Sequence, residues 1–373
     1  MSTILFYSKI HNSFDDRTFY HHAIALKESG HKVFIFSEIE DLNSTEIGIK
    51  IISQNISHLK PAKKYREIKK LLLLTNPDII ICDYPTSIIL LKICLLGKKK
   101  RLIYDITEWV PSKKNIYNVR FPLNIVKSVV LFLLNLLAGI LSNRLMFGEY
   151  HKSLIFKLHW FQIKKTVSYF PDSKYINYKK TIPLEDSIKL FYSGWFSIEK
   201  GFDKVLLLSS KLAELLPDKR IELDIVGDFK TETTKTYFQS MISQLPNNVL
   251  VTSTGFLKFG DFCEYITNVD IFLDLRKNDF ENTRCLPIKL FYYMACGRPV
   301  IYSDLKAIRH LLDINDFGYY FDGKNIDKIA TLIANYFEDK ELFEKHCYNA
   351  HSKFHMQYNW DLIKTDFVNF IVG

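Results

Sequence analysis

Two short segments in the second half of the sequence combine lysine, glycine and proline in patterns that could bind a phosphate. In the first, Gly194 follows an apolar run, and Lys200 and Gly201 come just before a predicted helix. In the second, Pro287 suits the first turn of a helix, and Lys289 lies in that turn. Backbone amides at a helix N-terminus and a nearby lysine favour an anion. Both segments are therefore candidate sites for a diphosphate.

The first half carries further candidates at the ends of predicted strands. Asp105 and Glu108 follow one strand, at a spacing that suits an acid–base or hydroxyl-binding pair and suits two loop caps equally well. After the first strand, Asp16 would cap the next helix, whereas Arg17 opposes the helix dipole there. This loop has no G-x-G-x-x-G pattern and no Walker lysine. It therefore argues against a dinucleotide oxidoreductase or an NTPase.

The elements that would position these residues alternate between strand and helix along both halves of the chain. Apolar runs predict the strands, which lie at 4–7, 32–36, 78–82, 101–105, 144–147 and 166–169 in the first half and at 189–193, 222–226, 249–252, 271–275 and 299–302 in the second. Helical patterns separate most of these runs, and this alternation predicts parallel sheets with helices on both faces. Such sheets bind ligands at the carboxyl ends of their strands.

The chain is long enough for two domains. Its 373 residues exceed the range in which a single hydrophobic core usually grows. We therefore expect two Rossmann-like, doubly wound α/β domains that face each other across a cleft. They would comprise residues 1–170 and 188–355, joined by a linker over 171–187 that is polar and holds two prolines, with a final helix over 356–373.

The composition is that of a basic globular protein. With 47% apolar and 24% charged residues, the chain is not a disordered, collagen-like or disulfide-scaffold protein. Its six scattered cysteines form no C-x-x-C pair, which favours reduced thiols in a cytosolic protein over a zinc or redox site. The net charge of +9 favours an anionic partner, but the lysine clusters lack the aromatic pattern of a nucleic-acid site. The N-terminus resembles a first strand rather than a signal peptide.

An almost wholly apolar stretch at 128–141, within the region 121–145, leaves two interpretations open. Its fourteen residues are too few to span a bilayer, which needs about 20. The stretch could form a helix buried between the sheet and its neighbours. It could equally form an interfacial helix on a membrane, with Arg120, Lys127 and Arg144 near the headgroups.

The segment 287–301, with the pattern P-x-K-L-F-x-Y-M-A-C-G-x-P-V-I, resembles the donor-site signature of GT-B fold glycosyltransferases, in particular glycosyltransferase family 4. Supporting matches lie at 192–194, 200–201, 225–227 and 30–33, so the resemblance covers nearly the whole chain. It implies transfer of a sugar from a nucleotide diphosphate sugar to a hydroxyl of a glycan or lipid-linked acceptor. It also implies retention of anomeric configuration, no metal or other cofactor, and a place in bacterial surface polysaccharide synthesis.

The resemblance further implies a role for each candidate residue. The donor-binding residues would be Gly194, Trp195, Lys200, Gly227, Arg284, Leu286, Pro287, Ile288, Lys289 and Tyr292. The catalytic residues on the acceptor side would be His11, Arg17, Asp105 and Glu108. The final helix would cross back to the first domain. The enzyme is expected in the cytoplasm, with the inner face of the plasma membrane as a place of peripheral contact through 121–145 and with no nucleic-acid partner.

Three positions depart from the family pattern. Arg284 and Tyr292 stand where the family often has two glutamates, and a tyrosine cannot hold a ribose by paired hydroxyl contacts as the second glutamate does. Trp195 stands where an arginine often follows the glycine of the diphosphate loop, so Arg284 or Lys289 would have to supply that charge. These departures keep two alternatives open: a catalytically silent GT-B protein that binds a partner, and a GT-B epimerase or phosphorylase-like enzyme.

Overall fold

The protein is described by a computed structural model that covers residues 1–117, 119–180 and 184–373. The chain divides into two compact units, Met1–Tyr169 with Ile363–Gly373 as unit 1 and Phe170–Leu362 as unit 2. Most of the segment expected as a linker is part of unit 2, where the Tyr175 ring lies edge-on to Phe259 at a centroid distance of 5.0 Å. Residues 181–183 of that segment lie outside the described residues.

Unit 1 contains an eight-stranded sheet in the order β3-β4-β2-β1-β5-β6-β7-β8. Its strands are β1 (Thr3–Ser8), β2 (Lys32–Ser37), β3 (Leu42–Glu46), β4 (Ile49–Ser53), β5 (Ile79–Cys82), β6 (Arg101–Ile106), β7 (Arg144–Phe147) and β8 (Ile163–Thr166). All neighbours are parallel except the β3–β4 hairpin, and central Ile4 pairs with Val33 on one side and Ile79 on the other. The central strands are continuous apolar runs, as a sheet covered on both faces requires.

The helices of unit 1 follow its strands. They are a π-helical segment (Asp16–Ala23), α1 (Ile24–Glu28), α2 (Pro61–Thr75), α3 (Pro85–Cys94), α4 (Lys113–Ile116), α5 (Leu123–Leu141), α6 (Tyr150–Ser153) and a 3-10 turn (Leu154–Phe156). The helix expected at 17–29 therefore begins as a π-helix. Its cap is Asp15, whose carboxylate accepts from Thr18 N at 3.0 Å, and not the predicted Asp16.

Unit 2 contains a six-stranded, all-parallel sheet in the order β11-β10-β9-β12-β13-β14. Its strands are β9 (Ser187–Phe196), β10 (Arg220–Phe229), β11 (Val249–Thr254), β12 (Ile271–Asp274), β13 (Val300–Ser303) and β14 (Gly318–Phe321). Its helices are α7 (Phe202–Leu215), α8 (Glu232–Ile242), α9 (Phe259–Tyr265), α10 (Phe280–Thr283), α11 (Ile288–Ala295), α12 (Lys306–Leu311), α13 (Ile326–Glu338) and α14 (Lys340–Gln357), with 3-10 turns at Ser173–Tyr175, Ile198–Lys200, Ile266–Asn268 and Ile314–Asp316. The last helix, α15 (Trp360–Val372), begins in unit 2 and continues into unit 1 from Ile363.

The apolar helix α5 is longer than the predicted apolar stretch, and one of the two environments predicted for it is wrong. It runs over 19 residues, and only 17% of its most apolar 18-residue window is buried. By length and composition alone, it could cross a membrane. The interpretation as a buried core helix is therefore wrong, because only Asn135, Ala138 and Gly139 are buried on it.

Candidate active site

Glycine is required at three positions around the carboxyl ends of β9 and β10: Gly194 near the end of β9, Gly201 after it, and Gly227 near the end of β10. Gly194 has φ +136°, Gly227 has φ +150° and Gly201 has φ +75°, which are values that L side chains rarely adopt. A Cβ at Gly227 would lie 1.8 Å from Gly194 O, and one at Gly201 would lie 1.9 Å from Leu275 O. The glycines of the predicted diphosphate loop therefore allow the ends of β9, β10 and β12 to meet.

Lys289 lies directly over this loop. Its Nζ donates to Ser193 O at 2.8 Å, and a Cβ at Gly194 would lie 3.6 Å from the same Nζ. Pro287 is the residue just before α11, so Ile288 and Lys289 form the first turn of that helix. Leu286 beside them is buried. The structure thus brings Gly194 and the 286–289 segment, which are far apart in sequence, to one place.

Lys200 reaches the same edge of the sheet from the 3-10 turn that follows β9. Its Nζ donates to Asn282 Oδ1 at 3.3 Å, and the buried Asn282 is held by a hydrogen bond from its Nδ2 to Lys277 O at 3.0 Å. Tyr192 OH lies within 3.1 Å of Trp195 O and 3.3 Å of Lys200 O. This tyrosine therefore ties the glycine turn to the segment that carries Lys200.

The three residues that depart from the family pattern have different surroundings. The Arg284 guanidinium stacks on the exposed Phe280 ring at 4.0 Å. Trp195 is 41% exposed and meets Phe256 edge-on at a centroid distance of 4.9 Å. Tyr292, in contrast, is buried with its ring 6.0 Å from that of Phe259. A ribose contact by Tyr292 stays a prediction, and its ring is part of the local packing.

Sequence reasoning missed a buried charged cluster at the end of β12. Arg276 Nε donates to Asp274 Oδ1 at 2.7 Å, and Tyr302 OH donates to Asp274 Oδ2 at 2.7 Å. Burial raises the pKa of Asp274, but Arg276, Tyr302 and Lys289 outweigh burial and lower it below its ordinary value. The signal available in the sequence was the position of both charged residues at the carboxyl end of a predicted strand.

In unit 1, two of the four acceptor-side candidates line a cavity of about 390 Å³. His11 and Glu108 are among its lining residues, which also include Ile10, Tyr84, Trp109, Val110, Ser112, Lys114 and Asn115. His11 is held by Asp15, whose carboxylate lies 3.3 Å from His11 Nδ1. The lining combines two aromatic rings, Tyr84 and Trp109, with polar side chains, and this combination suits a sugar ring, which has apolar faces and a polar edge.

The other two candidates, Arg17 and Asp105, are not among the lining residues of this cavity and bind each other. They form a two-pronged ion pair in which Arg17 Nη2 donates to Asp105 Oδ1 at 2.8 Å, with a second contact between Nη1 and Oδ2. Arg17 is 6% exposed and Asp105 is 5% exposed. The Arg17 guanidinium also lies over the Tyr169 ring at 4.6 Å. The pair links the first helix to the end of β6.

Several acidic and basic groups near the cavity have shifted pKa values. Burial lowers the pKa of His11, but the hydrogen bond and charge of Asp15 outweigh it and raise that pKa to about 9. Burial raises the pKa of Asp15, but the same contact with His11 lowers it to about 2. Burial and the charge of Asp15 raise the pKa of Asp16 to about 7, and burial raises that of Asp83 to about 6. At neutral pH His11 is therefore a cation that can donate a hydrogen bond.

The His11–Asp15 pair should make stability depend on pH. Because the pKa of His11 is about 9 in the folded protein and about 6.5 in an unfolded chain, the pair ceases to stabilise as pH rises from about 6.5 through about 9. Its stabilisation is complete between about pH 4, near the unfolded pKa of Asp15, and about pH 6.5. Asp15→Asn keeps a capping side chain but removes the charge. In urea unfolding, the free-energy difference between wild type and this variant should shrink as pH rises from about 6.5 to about 9, and a constant difference would contradict the pairing.

A known protein family matches the second half of the chain. Residues 175–353 match the family model described as glycosyl transferases group 1. No curated protein sequence matches the chain significantly. Among the described residues, which exclude 118 and 181–183, no group of three or more His, Cys, Asp or Glu side chains could hold a metal ion.

Solved structures share the fold over almost the whole chain. Sucrose-phosphate synthase from Thermosynechococcus elongatus matches with a TM-score of 0.75 at 12% identity, covering 99% of this chain and 98% of that one. Anabaena HepE in complex with UDP matches with a TM-score of 0.70 at 14% identity, covering 99% of both chains. WaaG, a glycosyltransferase involved in lipopolysaccharide biosynthesis, matches with a TM-score of 0.68 at 15% identity, covering 99% of this chain and 100% of that one.

These likenesses confirm the predicted fold class, since both units are α/β with mainly parallel sheets and align with GT-B structures. The family match falls on the unit that carries Gly194, Lys200 and Lys289. The prediction of a glycosyltransferase is confirmed with it. The chain is a glycosyltransferase of the GT-B fold, and its residues 175–353 are similar to the glycosyl transferases group 1.

Proposed function

We propose that this enzyme transfers a sugar from a nucleotide diphosphate sugar to a hydroxyl of a glycan or lipid-linked acceptor. The observation that carries the donor part is the convergence of Lys200, Lys289 and Gly194 at the carboxyl edge of the unit 2 sheet. Solved HepE structures contain UDP and UDP-glucose, which supports a donor of this class. The binding experiment described below identifies the nucleobase and the sugar of the donor.

The proposed reaction breaks the bond between the anomeric carbon and the diphosphate oxygen. The electron pair of that bond leaves with the diphosphate, and Lys200 and Lys289 stabilise the charge that develops there. Two preorganised ammonium groups can supply the stabilisation that a divalent cation supplies in other enzymes. On this basis we propose a metal-independent reaction, and the family resemblance adds retention of anomeric configuration.

The acceptor hydroxyl would bind in the unit 1 cavity. Its oxygen forms the new bond to the anomeric carbon on the face from which the diphosphate leaves, as retention in one step requires. Its proton passes to Glu108, which lines the cavity and lies 4.0 Å from Lys114 Nζ. His11, protonated at neutral pH, would orient the acceptor by donating a hydrogen bond. Arg17 and Asp105, which bind each other, would hold the loop and strand in place rather than contact the acceptor.

A lipid-linked acceptor fits the surroundings of this cavity. Val110 lines the cavity, and its carbonyl oxygen accepts from Asn135 Nδ2 of α5 at 3.2 Å. The exposed apolar helix is thus directly connected to the cavity wall. We propose that the enzyme acts in the cytoplasm at the inner face of the plasma membrane, with contact through residues 121–145, in the synthesis of a bacterial surface polysaccharide.

Donor binding can be measured in solution without any lipid. Calorimetric titration with UDP, GDP, dTDP, ADP and CMP and their sugar derivatives should reveal one preferred nucleotide, which also raises the melting temperature by mass action. Binding and turnover should be unchanged by EDTA. A requirement for an added divalent cation would overturn metal independence, and absence of binding at millimolar nucleotide would overturn the donor assignment.

A further inference from the structure

A second exposed apolar segment lies beside α5. In the segment 158–163, Leu158 is 86% exposed and Trp160 is 85% exposed, and Phe161 and Ile163 are more than half exposed. On α5 and just before it, the exposed large apolar residues are Phe121, Leu123, Ile125, Val126, Val129, Val130, Phe132, Leu133, Leu137 and Ile140. Exposed apolar areas of this extent mark an interaction site.

Direct contacts join the two segments into one surface. His159 Nε2 lies 3.0 Å from Leu136 O, and Gln162 Nε2 donates to Ile140 O at 3.1 Å. Gly139 permits this approach, because a Cβ there would lie 2.8 Å from the Phe156 ring. The segment 158–163 is therefore fixed against the C-terminal half of α5. We call α5, Phe121 and the segment 158–163 together the apolar surface.

The charges around the apolar surface are almost all positive. Residues 109–171 contain nine lysines and arginines but a single acidic residue, Glu149. Glu149 is buried and lies 2.6 Å from Lys152 Nζ, so it adds no negative charge to the exterior. Five of the basic residues are exposed: Lys113, Lys114, Arg120, Lys127 and Lys157. Two acidic side chains from outside this range lie near its cations: Glu108 is 4.0 Å from Lys114 Nζ, and Asp366 is 2.8 Å from Lys165 Nζ. Arg120, Lys127 and Lys157 still give the border an excess of positive charge, which complements a surface of anionic lipid headgroups.

We propose that the apolar surface lies in one leaflet of an anionic bilayer, with Trp160 and Phe161 as interfacial anchors beside α5. This inference deepens the proposed function, on which it rests for the lipid-linked acceptor, by naming the partner and the second anchoring segment. Aromatic side chains, tryptophan above all, favour the membrane–water interface. Two segments fixed to each other present a rigid and broad contact to the bilayer.

The attachment is monotopic. Asn135, in the middle of α5, is buried and accepts from Tyr104 OH at 2.7 Å while donating to Val110 O. Removing the helix from unit 1 to span a bilayer would break these bonds and place the amide in hydrocarbon. A second copy of this chain is a poorer partner, because a two-fold contact through the apolar surface would place its cations against each other.

Vesicle sedimentation tests the proposal with the full chain. Wild type should bind vesicles that contain phosphatidylglycerol and bind phosphatidylcholine vesicles much more weakly, and added salt should weaken binding. The variant Trp160→Ser/Phe161→Ser should lower the partition coefficient by about tenfold or more. The matched control is Leu73→Ser/Leu74→Ser at the end of α2, which removes two similarly exposed apolar side chains and should bind like wild type.

Trp160→Phe supplies an independent measurement. In the wild type, vesicles should shift tryptophan emission to shorter wavelength, and lipids brominated on their acyl chains should quench it. Trp160→Phe should retain vesicle binding but lose most of this change. Equal partitioning of wild type and Trp160→Ser/Phe161→Ser into vesicles would overturn the proposal. So would a wild-type protein that does not bind vesicles but forms a dimer, if those substitutions dissociate that dimer. Nucleotide titration of the same variant without lipid distinguishes loss of membrane binding from failure of the proposed function, because donor binding does not require the membrane.

Discussion

Replacing Lys289 with alanine is expected to lower kcat/KM by about 10²–10³-fold, as loss of one preorganised charge-stabilising donor does in other enzymes. The Lys289 ammonium donates to Ser193 O at 2.8 Å above the Gly194 turn, so it is fixed before the substrate arrives. Charge on the diphosphate rises as the bond to the sugar breaks. The loss should therefore appear mainly in kcat, with a smaller effect on donor affinity.

Initial rates over a range of donor concentrations separate the effect on kcat from the effect on donor affinity. The matched control is Lys306→Ala, which removes an exposed lysine from the start of a different unit 2 helix, α12. It should behave like wild type. Lys200→Ala should also reduce turnover, because this lysine reaches the same sheet edge through Asn282. Wild-type rates for both Lys200→Ala and Lys289→Ala would show that the diphosphate binds elsewhere.

Replacing Arg17 with methionine is expected to destabilise unit 1 by about 3–5 kcal/mol, because it leaves the buried carboxylate of its partner uncompensated. That partner, Asp105, is 5% exposed and contacts both Nη atoms of Arg17. Asp105→Asn should be milder, since an amide keeps one hydrogen bond. The double variant Arg17→Met/Asp105→Leu should recover most of the stability, because it removes both charges together.

Urea unfolding of the single and double variants gives the coupling energy of the pair. If the pair only positions the loop and strand, the double variant should fold and retain much of the turnover. A folded double variant without activity would instead show that Arg17 or Asp105 acts on the substrate, as the sequence resemblance implies. Wild-type stability of Arg17→Met would contradict the buried ion pair itself.

The parallel sheets and the donor-side segments could be predicted because local patterns determine them. Continuous apolar runs marked the central strands, and the segment 287–301 carried the family resemblance. The β3–β4 hairpin was missed because its turn uses Ile47 at φ 52° before Gly48, whereas such turns usually have Asn or Asp before the glycine. The apolar stretch at 128–141 is shorter than helix α5 for a similar local reason. Asn124 and Lys127 interrupt the apolar pattern in the first turns of the helix.

Pairings between distant residues could not be predicted. Arg17 and Asp105 come together only because β1 and β6 flank β5 in the sheet, and strand order is not a local property of the sequence. The exposure of α5 could not be predicted for the same reason. Its composition suits a buried helix and a membrane surface equally, and only the packing of unit 1 shows that most of its apolar residues remain outside the core.

The most direct test of the central claim is acceptor-dependent sugar transfer. The purified enzyme is incubated with each nucleotide diphosphate sugar in EDTA, with and without lipids extracted from bacterial membranes, and nucleotide release and glycosylated lipid are both measured. We expect one donor to be consumed only when the lipid is present, with one sugar transferred for each nucleoside diphosphate released. Consumption of no donor, or release of nucleotide without any glycosylated product, would contradict the account.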